Sequence, residues 1–377
     1  MTRYKRRKIA AAVKWTALLL LPVIAVGTAK GMEFLKTKAE NRNDTVQCSS
    51  VESRKMKKKN GKSDILSGEA ILSHGYGIYA EVSDTDVRLQ NPIDMVSDNP
   101  GDKPYPTEWT AGIEITRTTY GEYSGTTYFN LDNGGQVNNR SSISNDDLLA
   151  ESRILPDFTI SDTDEPQVLI YHTHTTESFE PFVRDNLDAV FNYRTTDSTK
   201  NMIMVGNAIQ AELEAAGIGV IHVVEIHDYP SYNGSYERSR ESIVPILEQY
   251  PTIKVALDIH RDAISNETFA AQPYVEIDGK EAAQIMIISG CDDGTLNMPD
   301  YLKNFHFASH LQQQLESDYS GFTRPILFDY RHYNQDLTTG SLLIEVGSHG
   351  NTLEQVQYSG QLIGRSLSRL LESMKGK

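Results

Sequence analysis

Gln167-Val-Leu-Ile-Tyr171, followed at once by His172-Thr-His-Thr-Thr-Glu177, is the stretch that indicates the fold of this 377-residue chain. A short apolar run that ends in polar residues is typical of a buried strand. Two later runs have the same form, Ile253-Lys-Val-Ala-Leu-Asp-Ile259 and Ser341-Leu-Leu-Ile-Glu-Val346. Because open α/β sheets bind ligands beyond the carboxyl ends of their strands, we expect the polar residues at these ends to share one site.

Segments with helical periodicity alternate with the predicted strands. We predict further strands at 220–224 and 283–288, and helices at 199–216, 236–249, 301–317 and 352–374. Gly217 and Pro251 are suited to end the first two helices. This alternation predicts an α/β fold in which a mostly parallel sheet carries helices on both faces.

The N-terminus has the composition of a membrane anchor. A basic cluster at residues 3–8 precedes an apolar span at about residues 9–29. This span approaches the roughly 20 residues that cross a bilayer, and the basic cluster is expected to stay in the cytoplasm. We therefore predict that residues 1–30 form a single-pass anchor in the cell membrane, with the rest of the chain outside the cytoplasm. A cleaved signal peptide is the alternative, since Gly27-Thr-Ala29 resembles a cleavage site, but the apolar span is long for such a peptide.

Beyond the anchor, composition divides the chain into three parts. Residues 31–67 are charged and polar with few aromatic residues, which predicts a flexible tether. Residues 68–165 are expected to form a stem with a small β-rich element, in which residues 111–131 make a hairpin and Asp132-Asn-Gly-Gly135 makes a turn. Residues 166–377 form the predicted catalytic domain.

Composition and charge exclude some classes of function. A hydrophobic content of 39% allows one sizeable core. The formal net charge of -15 argues against nucleic acid as a partner, since phosphate binding requires a basic surface. With only Cys48 and Cys291, the chain has too few cysteines for a cysteine-rich structural zinc site, and we expect both thiols to be free.

The polar residues at the strand ends supply the parts of a hydrolytic zinc site. His174 and Glu177 can meet on one metal ion if the chain turns after the strand, and His260 is the natural third ligand. Two histidines and one glutamate leave the fourth position of zinc open for water, as catalysis requires. Glu345 ends the third strand and is predicted to be the general base that takes a proton from this water and returns it to the leaving amine.

The same residues have simpler interpretations. His260 could be a buried structural histidine, and Glu345 could be one half of a buried ion pair. The metal interpretation is favoured because all of the residues fall at the ends of predicted strands. On an extended strand His172 and His174 would face the same side, so both could reach the metal. We favour His174 as the ligand and His172 as its outer partner or a substrate contact.

Several motifs resemble the stage II sporulation protein P family, whose members are membrane-anchored cell-wall hydrolases of endospore formers. The resemblance covers residues 166–371 and the anchor. It rests on Tyr171-His-Thr-His-Thr-Thr-Glu-Ser-Phe179, His227-Asp228, Ser235-Tyr-Glu-Arg-Ser-Arg240, Asp258-Ile-His-Arg-Asp262, Tyr333-Asn-Gln-Asp336, Ile344-Glu-Val-Gly347 and Asn351-Thr-Leu-Glu354.

The resemblance implies a catalytic domain similar to zinc-dependent N-acetylmuramoyl-L-alanine amidases. Such a domain would cleave the amide between N-acetylmuramic acid and the L-alanine of the stem peptide during engulfment in sporulation, and the resemblance leaves room for cleavage of peptide cross-links. Peptidoglycan and stage II sporulation proteins D and M are the implied partners. One departure concerns the glutamate ligand, which those amidases take from the start of the helix after the first strand. This chain has Ser198, Thr199 and Lys200 there, so Glu177 is expected to substitute.

Four residues have further expected roles, and two rival functions use the same residue types. Arg261 is expected to stabilise the oxyanion or a substrate carboxylate, while His172, His227 and Asp228 are candidate substrate contacts. A zinc carboxypeptidase would use the same residue types, with Arg261 binding a terminal carboxylate. A non-catalytic wall-binding scaffold with a decayed site is the other alternative.

Overall fold

The computed structural model describes residues 101–375 and the backbone of the short strand Ile65–Leu66. The predicted anchor, residues 1–30, and nearly all of the predicted tether lie outside the described residues, as does Cys48. In the described part of the chain, no helix combines the length and the apolar character that a bilayer crossing demands. Cys291 is buried and free, as expected.

The described residues form two sheets and a set of helices. The strands are β1 (Ile65–Leu66), β2 (Ala111–Tyr120), β3 (Tyr128–Asn130), β4 (Gln136–Asn139), β5 (Pro166–Tyr171), β6 (Asn186–Asp188), β7 (Gly219–His222), β8 (Val255–Asp262), β9 (Phe269–Ile277), β10 (Lys280–Ala283), β11 (Ile285–Gly290), β12 (Ile326–Asp329) and β13 (Gly340–Ser348). The helices are α1 (Asn145–Glu151), α2 (Met202–Ala215), α3 (Ser235–Gln249), α4 (Tyr301–Asp318) and α5 (Leu353–Ser373).

The larger sheet has the strand order β3-β4-β12-β11-β13-β8-β5-β7. The four strands β13, β8, β5 and β7 run parallel to one another. β11 pairs antiparallel with β13, and β12 and β4 run in the direction of β11. The sheet is therefore mixed, and the expectation of a mostly parallel sheet needs this correction. The physical reason is that the chain passes from β8 to β11 through the β9–β10 hairpin, without the crossover helix that a parallel return requires.

Different helices cover the two faces of this sheet. Alternate residues of β8, namely Val255, Leu257 and Ile259, belong to the main core together with α2, α4 and α5. Ala256 faces the other way and packs in a second core with Ile243 of α3. Helices therefore lie on both faces, as predicted, and β8 is buried along its whole length.

Local signals set the helix ends close to the predicted positions. The side chain of Asn201 caps α2 by accepting a hydrogen bond from the N–H of Ile203. Thr352 and Gln355 form a capping box at the start of α5. Gly217 follows α2 with a φ of 77°, the left-handed conformation that favours glycine at this position.

The second sheet contains β1, β2, β6, β9 and β10. β2 pairs parallel with β9 and antiparallel with β6, so the hairpin predicted at residues 111–131 is wrong. The reason is that β2 pairs with β9, which lies about 150 residues later in the sequence, and not with the next strand. The predicted turn at residues 132–135 is confirmed, because it joins β3 to β4, and β4 then joins the larger sheet beside β12. Each of the two sheets therefore contains strands from residues 68–165 and strands from residues 166–377.

Candidate active site

Three neighbouring strands bring the predicted site residues together. β8 lies between β5 and β13, with Tyr171 opposite Asp258 and Glu345 opposite His260. Residues paired in this way point to the same side of a sheet. A cavity of about 780 Å³ opens at this edge, and its walls include His174, Glu177, His260, Arg261 and Glu345. The three ligand candidates and the base candidate therefore share one cavity.

Hydrogen bonds to Asp258 fix a sharp turn after β5. Its carboxylate accepts one from the backbone N–H of Thr173 at 2.8 Å and one from the Thr173 hydroxyl at 2.7 Å. The N–H of Glu177 then donates to the carbonyl of His174 at 3.2 Å. This is the turn that the pairing of His174 with Glu177 requires.

His260 is held between carboxylates. Its Nε2 lies 2.8 Å from Asp258 Oδ1, as an ion pair whose angle falls short of a hydrogen bond, and its Nδ1 lies 3.8 Å from Glu177 Oε2. The ring centroid is 5.1 Å from that of His174, with the ring planes at 81°. A carboxylate on the outer nitrogen of an imidazole is the usual partner of a metal-binding histidine. Asp258 therefore leaves Nδ1 as the nitrogen directed at Glu177.

This donor set fits zinc in chemistry and nearly in spacing. With Zn–N bonds of about 2.0 to 2.1 Å, two imidazoles on one tetrahedral ion have centroids about 5 Å apart, which matches the 5.1 Å between His174 and His260. Donor atoms on such an ion are about 3.4 Å apart, so Glu177 would move by about half an ångström from its 3.8 Å position. As the described residues stand, no three His, Cys, Asp or Glu side chains are spaced to hold a metal ion.

Contacts with two arginines hold Glu177 in its present position. Its Oε2 accepts a hydrogen bond from the backbone N–H of Arg261 at 3.1 Å, and its Oε1 lies 3.5 Å from the guanidinium of Arg194. Arg194 is in turn paired with Asp228 at 2.7 Å. These contacts fix the carboxylate of Glu177 and would have to adjust slightly if a metal ion bound.

The charges of the site favour a cation. Burial, reinforced by the neighbouring His260, lowers the pKa of His174 well below its ordinary value. Burial also acts to lower the pKa of His260, but the carboxylates of Asp258, Glu177 and Glu345 raise it to about 9. Three buried carboxyl groups thus surround His260 and stabilise positive charge there, which a divalent ion would supply in place of the proton.

Glu345 has the environment expected of a general base. The residue is buried, and its Oε2 has no hydrogen-bond partner among the described residues. Burial and the nearby Asp262 carboxylate raise the pKa of the Glu345 carboxyl well above its usual range. A buried carboxylate without a partner is costly for stability, and such groups are concentrated at functional sites.

Arg261 lies in the cavity wall, but its side chain is engaged by the backbone. Its nitrogens donate to the carbonyls of Ser178 at 3.0 Å, Tyr193 at 3.1 Å and Asp262 at 3.2 Å. These bonds tie the segment that carries Glu177 to β8. The contacts of Arg261 are therefore those of a residue that positions its neighbours.

His172 does not reach the cavity. Its Nδ1 lies 2.9 Å from the carbonyl of Ile259 and its Nε2 lies 2.8 Å from His222 Nε2, so both nitrogens are engaged away from His174. The expectation that His172 and His174 face the same side is wrong. The reason is that β5 ends at Tyr171, and the alternation of an extended strand does not continue into the turn.

His227 and Asp228 support the turn from behind. The His227 ring contacts the carbonyl of His172 at 2.8 Å and the hydroxyl of Ser242 at 2.9 Å. The Asp228 carboxylate accepts hydrogen bonds from the N–H and hydroxyl of Thr176, at 3.0 Å and 2.7 Å. Neither side chain lines the cavity. Ser198, Thr199 and Lys200 are also absent from its walls.

The cavity has an aromatic wall that the strand-end pattern did not reveal. Tyr232 stacks on His174 with centroids 4.5 Å apart, and Tyr236 and Tyr333 stack on each other at 5.1 Å. His349 also lines the cavity, and its buried Nδ1 has no hydrogen-bond partner among the described residues. The available sequence signal was the position of Tyr236 and Tyr333 inside motifs that carry the family resemblance.

Two solved amidase structures are distantly similar to this chain. The CwlD amidase from Clostridioides difficile, in complex with the GerS lipoprotein, is 11% identical with a TM-score of 0.35, and the match covers 55% of this chain and 99% of that one. The N-acetylmuramoyl-L-alanine amidase AmiC2 of Nostoc punctiforme is 11% identical with a TM-score of 0.33, covering 55% and 96%. At these low TM-scores the likenesses carry no weight for fold or function.

Comparison of sequences is more informative. Stage II sporulation protein P of Bacillus subtilis (strain 168) is 30% identical over 205 residues, which is 52% of this chain and 48% of the relative. The match thus spans about half the length of this relative. The family model described as stage II sporulation protein P matches residues 105–368, well over half of the chain and including every candidate site residue. The chain belongs to the stage II sporulation protein P family.

Proposed function

We propose that this protein is a zinc-dependent peptidoglycan hydrolase that cleaves the amide between N-acetylmuramic acid and the L-alanine of the stem peptide. One observation carries the proposal. Two imidazoles, His174 and His260, lie 5.1 Å apart beside Glu177, and the unpartnered carboxylate of Glu345 faces the same cavity. Family membership supports peptidoglycan as the substrate class.

The roles of the residues follow from their contacts. His174, Glu177 and His260 would hold zinc, which when bound polarises a carbonyl and acidifies water. Glu345 accepts the proton of the attacking water and delivers it to the leaving nitrogen. Asp258 orients His260 through its outer nitrogen.

We assign Arg261 to the support of Glu177. Its backbone N–H holds the Glu177 carboxylate, and its guanidinium is bound to the three carbonyls described above. The direct contact with substrate expected from the sequence would require these bonds to be exchanged. His172, His227 and Asp228 lie behind the site, and we assign them to the support of the turn that carries His174.

Digestion of purified peptidoglycan by the full-length protein tests the proposal. We expect release of intact stem peptides with a new N-terminal L-alanine, loss of release with a chelator, and recovery on addition of zinc. Glu345→Gln is the matched control, because it keeps the shape of the side chain and removes the base. Release of single terminal amino acids would indicate a carboxypeptidase, and a protein without bound zinc and without any release would indicate a scaffold. Split cross-links with intact amides would indicate an endopeptidase.

We also propose that residues 1–30 anchor the chain in the cell membrane, with the catalytic region outside, and that it acts with stage II sporulation proteins D and M during engulfment. The support is the basic and apolar N-terminal sequence together with family membership. Protease added to intact protoplasts should digest the catalytic region. Protection from the protease would contradict this orientation, and failure of D and M to co-purify with the chain would contradict the partnership.

A further inference from the structure

Tyr236 lies against both histidines of the proposed zinc site. It is the second residue of α3, and its ring meets that of His174 edge-on, with centroids 5.6 Å apart and planes at 80°. The same ring is nearly parallel to that of His260, at 6.4 Å and 13°. Tyr236 also forms part of the cavity wall. A substrate that reaches the two histidines therefore lies close to this residue.

The ring of Tyr236 is held in place from the other side. Tyr333 stacks on it at 5.1 Å and 16°, and the side-chain amide of Asn334 donates to the Tyr236 carbonyl at 3.0 Å. Tyr333 and Asn334 have φ values of 45° and 55°, in the left-handed region that residues other than glycine seldom adopt. Such conformations cost on the order of 1 kcal/mol or more each and are concentrated at functional sites. The chain thus accepts strain in the segment that fixes Tyr236.

The hydroxyl of Tyr236 is not used within the protein. No residue of the described chain forms a hydrogen bond with this oxygen, and the oxygen is not among the buried polar atoms that lack a partner. The oxygen therefore keeps a small exposed surface in the wall of the cavity. Tyr193, across the cavity, differs in that its hydroxyl donates to Glu180 at 2.5 Å and accepts from the N–H of Asp188 at 2.6 Å. Enclosed tyrosines usually find a partner, so the free hydroxyl of Tyr236 is available to a bound ligand.

We propose that Tyr236 is a catalytic residue whose hydroxyl donates a hydrogen bond to the carbonyl oxygen of the scissile amide. This inference rests on the proposed hydrolysis of that amide. The carbonyl oxygen gains negative charge as water adds to the amide carbon, so the hydrogen bond strengthens toward the transition state. The ordinary pKa of tyrosine, about 10, keeps the phenol protonated at neutral pH. Tyr236 transfers no proton, because Glu345 carries the proton from water to the leaving nitrogen.

Tyr236→Phe in the full-length protein is the direct test, because it removes the hydroxyl and keeps the stacked ring. We expect kcat on soluble peptidoglycan fragments to fall about 100-fold, as when one oxyanion donor is removed, with KM changed less than about threefold. Zinc bound per chain, measured by elemental analysis, should equal that of the parent protein. Affinity for a phosphinate analogue of the tetrahedral intermediate should fall by a factor similar to that for kcat/KM.

Variants of two other tyrosines serve as controls. Tyr301→Phe, on α4 and outside the cavity, should leave every measurement unchanged. Tyr333→Phe removes the hydroxyl of the outer ring in the same stack. If Tyr333→Phe lost affinity for the phosphinate analogue and Tyr236→Phe did not, the proposal would be overturned.

The remaining outcomes separate this role from the proposed function. Loss of zinc in Tyr236→Phe would show that the hydroxyl acts through the histidines, and the catalytic role would be wrong. An active parent with a fully active Tyr236→Phe variant would overturn the role of Tyr236 alone. A parent that binds zinc yet never releases stem peptides would overturn both the amidase function and this inference.

Discussion

Replacing Asp258 by asparagine should weaken zinc binding while leaving the fold intact. The carboxylate lies 2.8 Å from His260 Nε2 and accepts two hydrogen bonds from Thr173. Asparagine keeps Oδ1, which serves His260 and the Thr173 N–H. Its amide N–H₂ replaces Oδ2 and can donate to the Thr173 hydroxyl, which reverses that bond. The change thus removes a negative charge and preserves the contacts.

The size of the effect follows from the outer-partner role of Asp258. Loss of such a partner typically lowers metal affinity by about 10-fold to 100-fold, or about 1.4 to 2.7 kcal/mol. At pH 7 the measured loss of zinc affinity should be smaller than this, because proton release opposes zinc binding more in the parent than in the variant. Asp258 helps to raise the pKa of His260 to about 9, so at pH 7 the parent must release a proton from His260 to bind zinc. In the variant the pKa of His260 is lower, so a smaller fraction of the protein has to release this proton. The difference in zinc affinity should therefore be larger at pH 9 than at pH 7.

Competition titrations against a chromophoric chelator at the two pH values measure the effect. Asp336→Asn is the control, because Asp336 is paired with Arg240 outside the cavity and should not influence zinc. Circular dichroism of both variants checks the fold. Equal zinc affinity of Asp258→Asn and the parent at pH 9 would refute the reasoning that places His260 on the metal through Nδ1.

Further predictions concern the base, a ligand and the backbone of the site. Glu345→Gln should keep its zinc and lose about 100-fold to 10,000-fold in rate; full activity in a hydrolysis assay would contradict its role as base. His260→Ala should lose stoichiometric zinc by elemental analysis, and retention of one ion per chain would exclude His260 as a ligand. Gly347→Ala should lower the free energy of unfolding by about 2 to 4 kcal/mol in urea titrations, since φ is +63° and a Cβ would lie 2.6 Å from Asn351 Oδ1. Gly279→Ala, at φ +72° with nothing within 4 Å, should cost only about 1 kcal/mol; equal losses would show that the close contact at Gly347 is unimportant.

The parts of the fold that depend on adjacent residues could be predicted from the sequence. β5, β8 and β13 and the four longer helices each carry their own periodicity and end signals, so their positions were predicted closely. Strand partners are not encoded locally. β2 has the composition of a hairpin strand, yet it pairs with β9, and the direction of β11 depends on the β9–β10 hairpin that precedes it.

The same limit applies to the site. The sequence predicts that four residues lie together, because parallel strands end at a common edge: His174, Glu177, His260 and Glu345. Tyr236 could not, because its proximity to both histidines depends on the angle at which α3 packs against the sheet.

The pairing of β13 with β8 has a consequence for how this protein can vary. Glu345 stands beside His260, while Ile344 and Val346 point into the helical core. A slip of one residue would exchange these environments, so that the acid would be buried among hydrocarbon side chains and an aliphatic side chain would face the cavity. Single-residue insertions or deletions within β13 should therefore abolish the proposed hydrolysis even where the chain still folds, whereas the surface loops should tolerate changes in length.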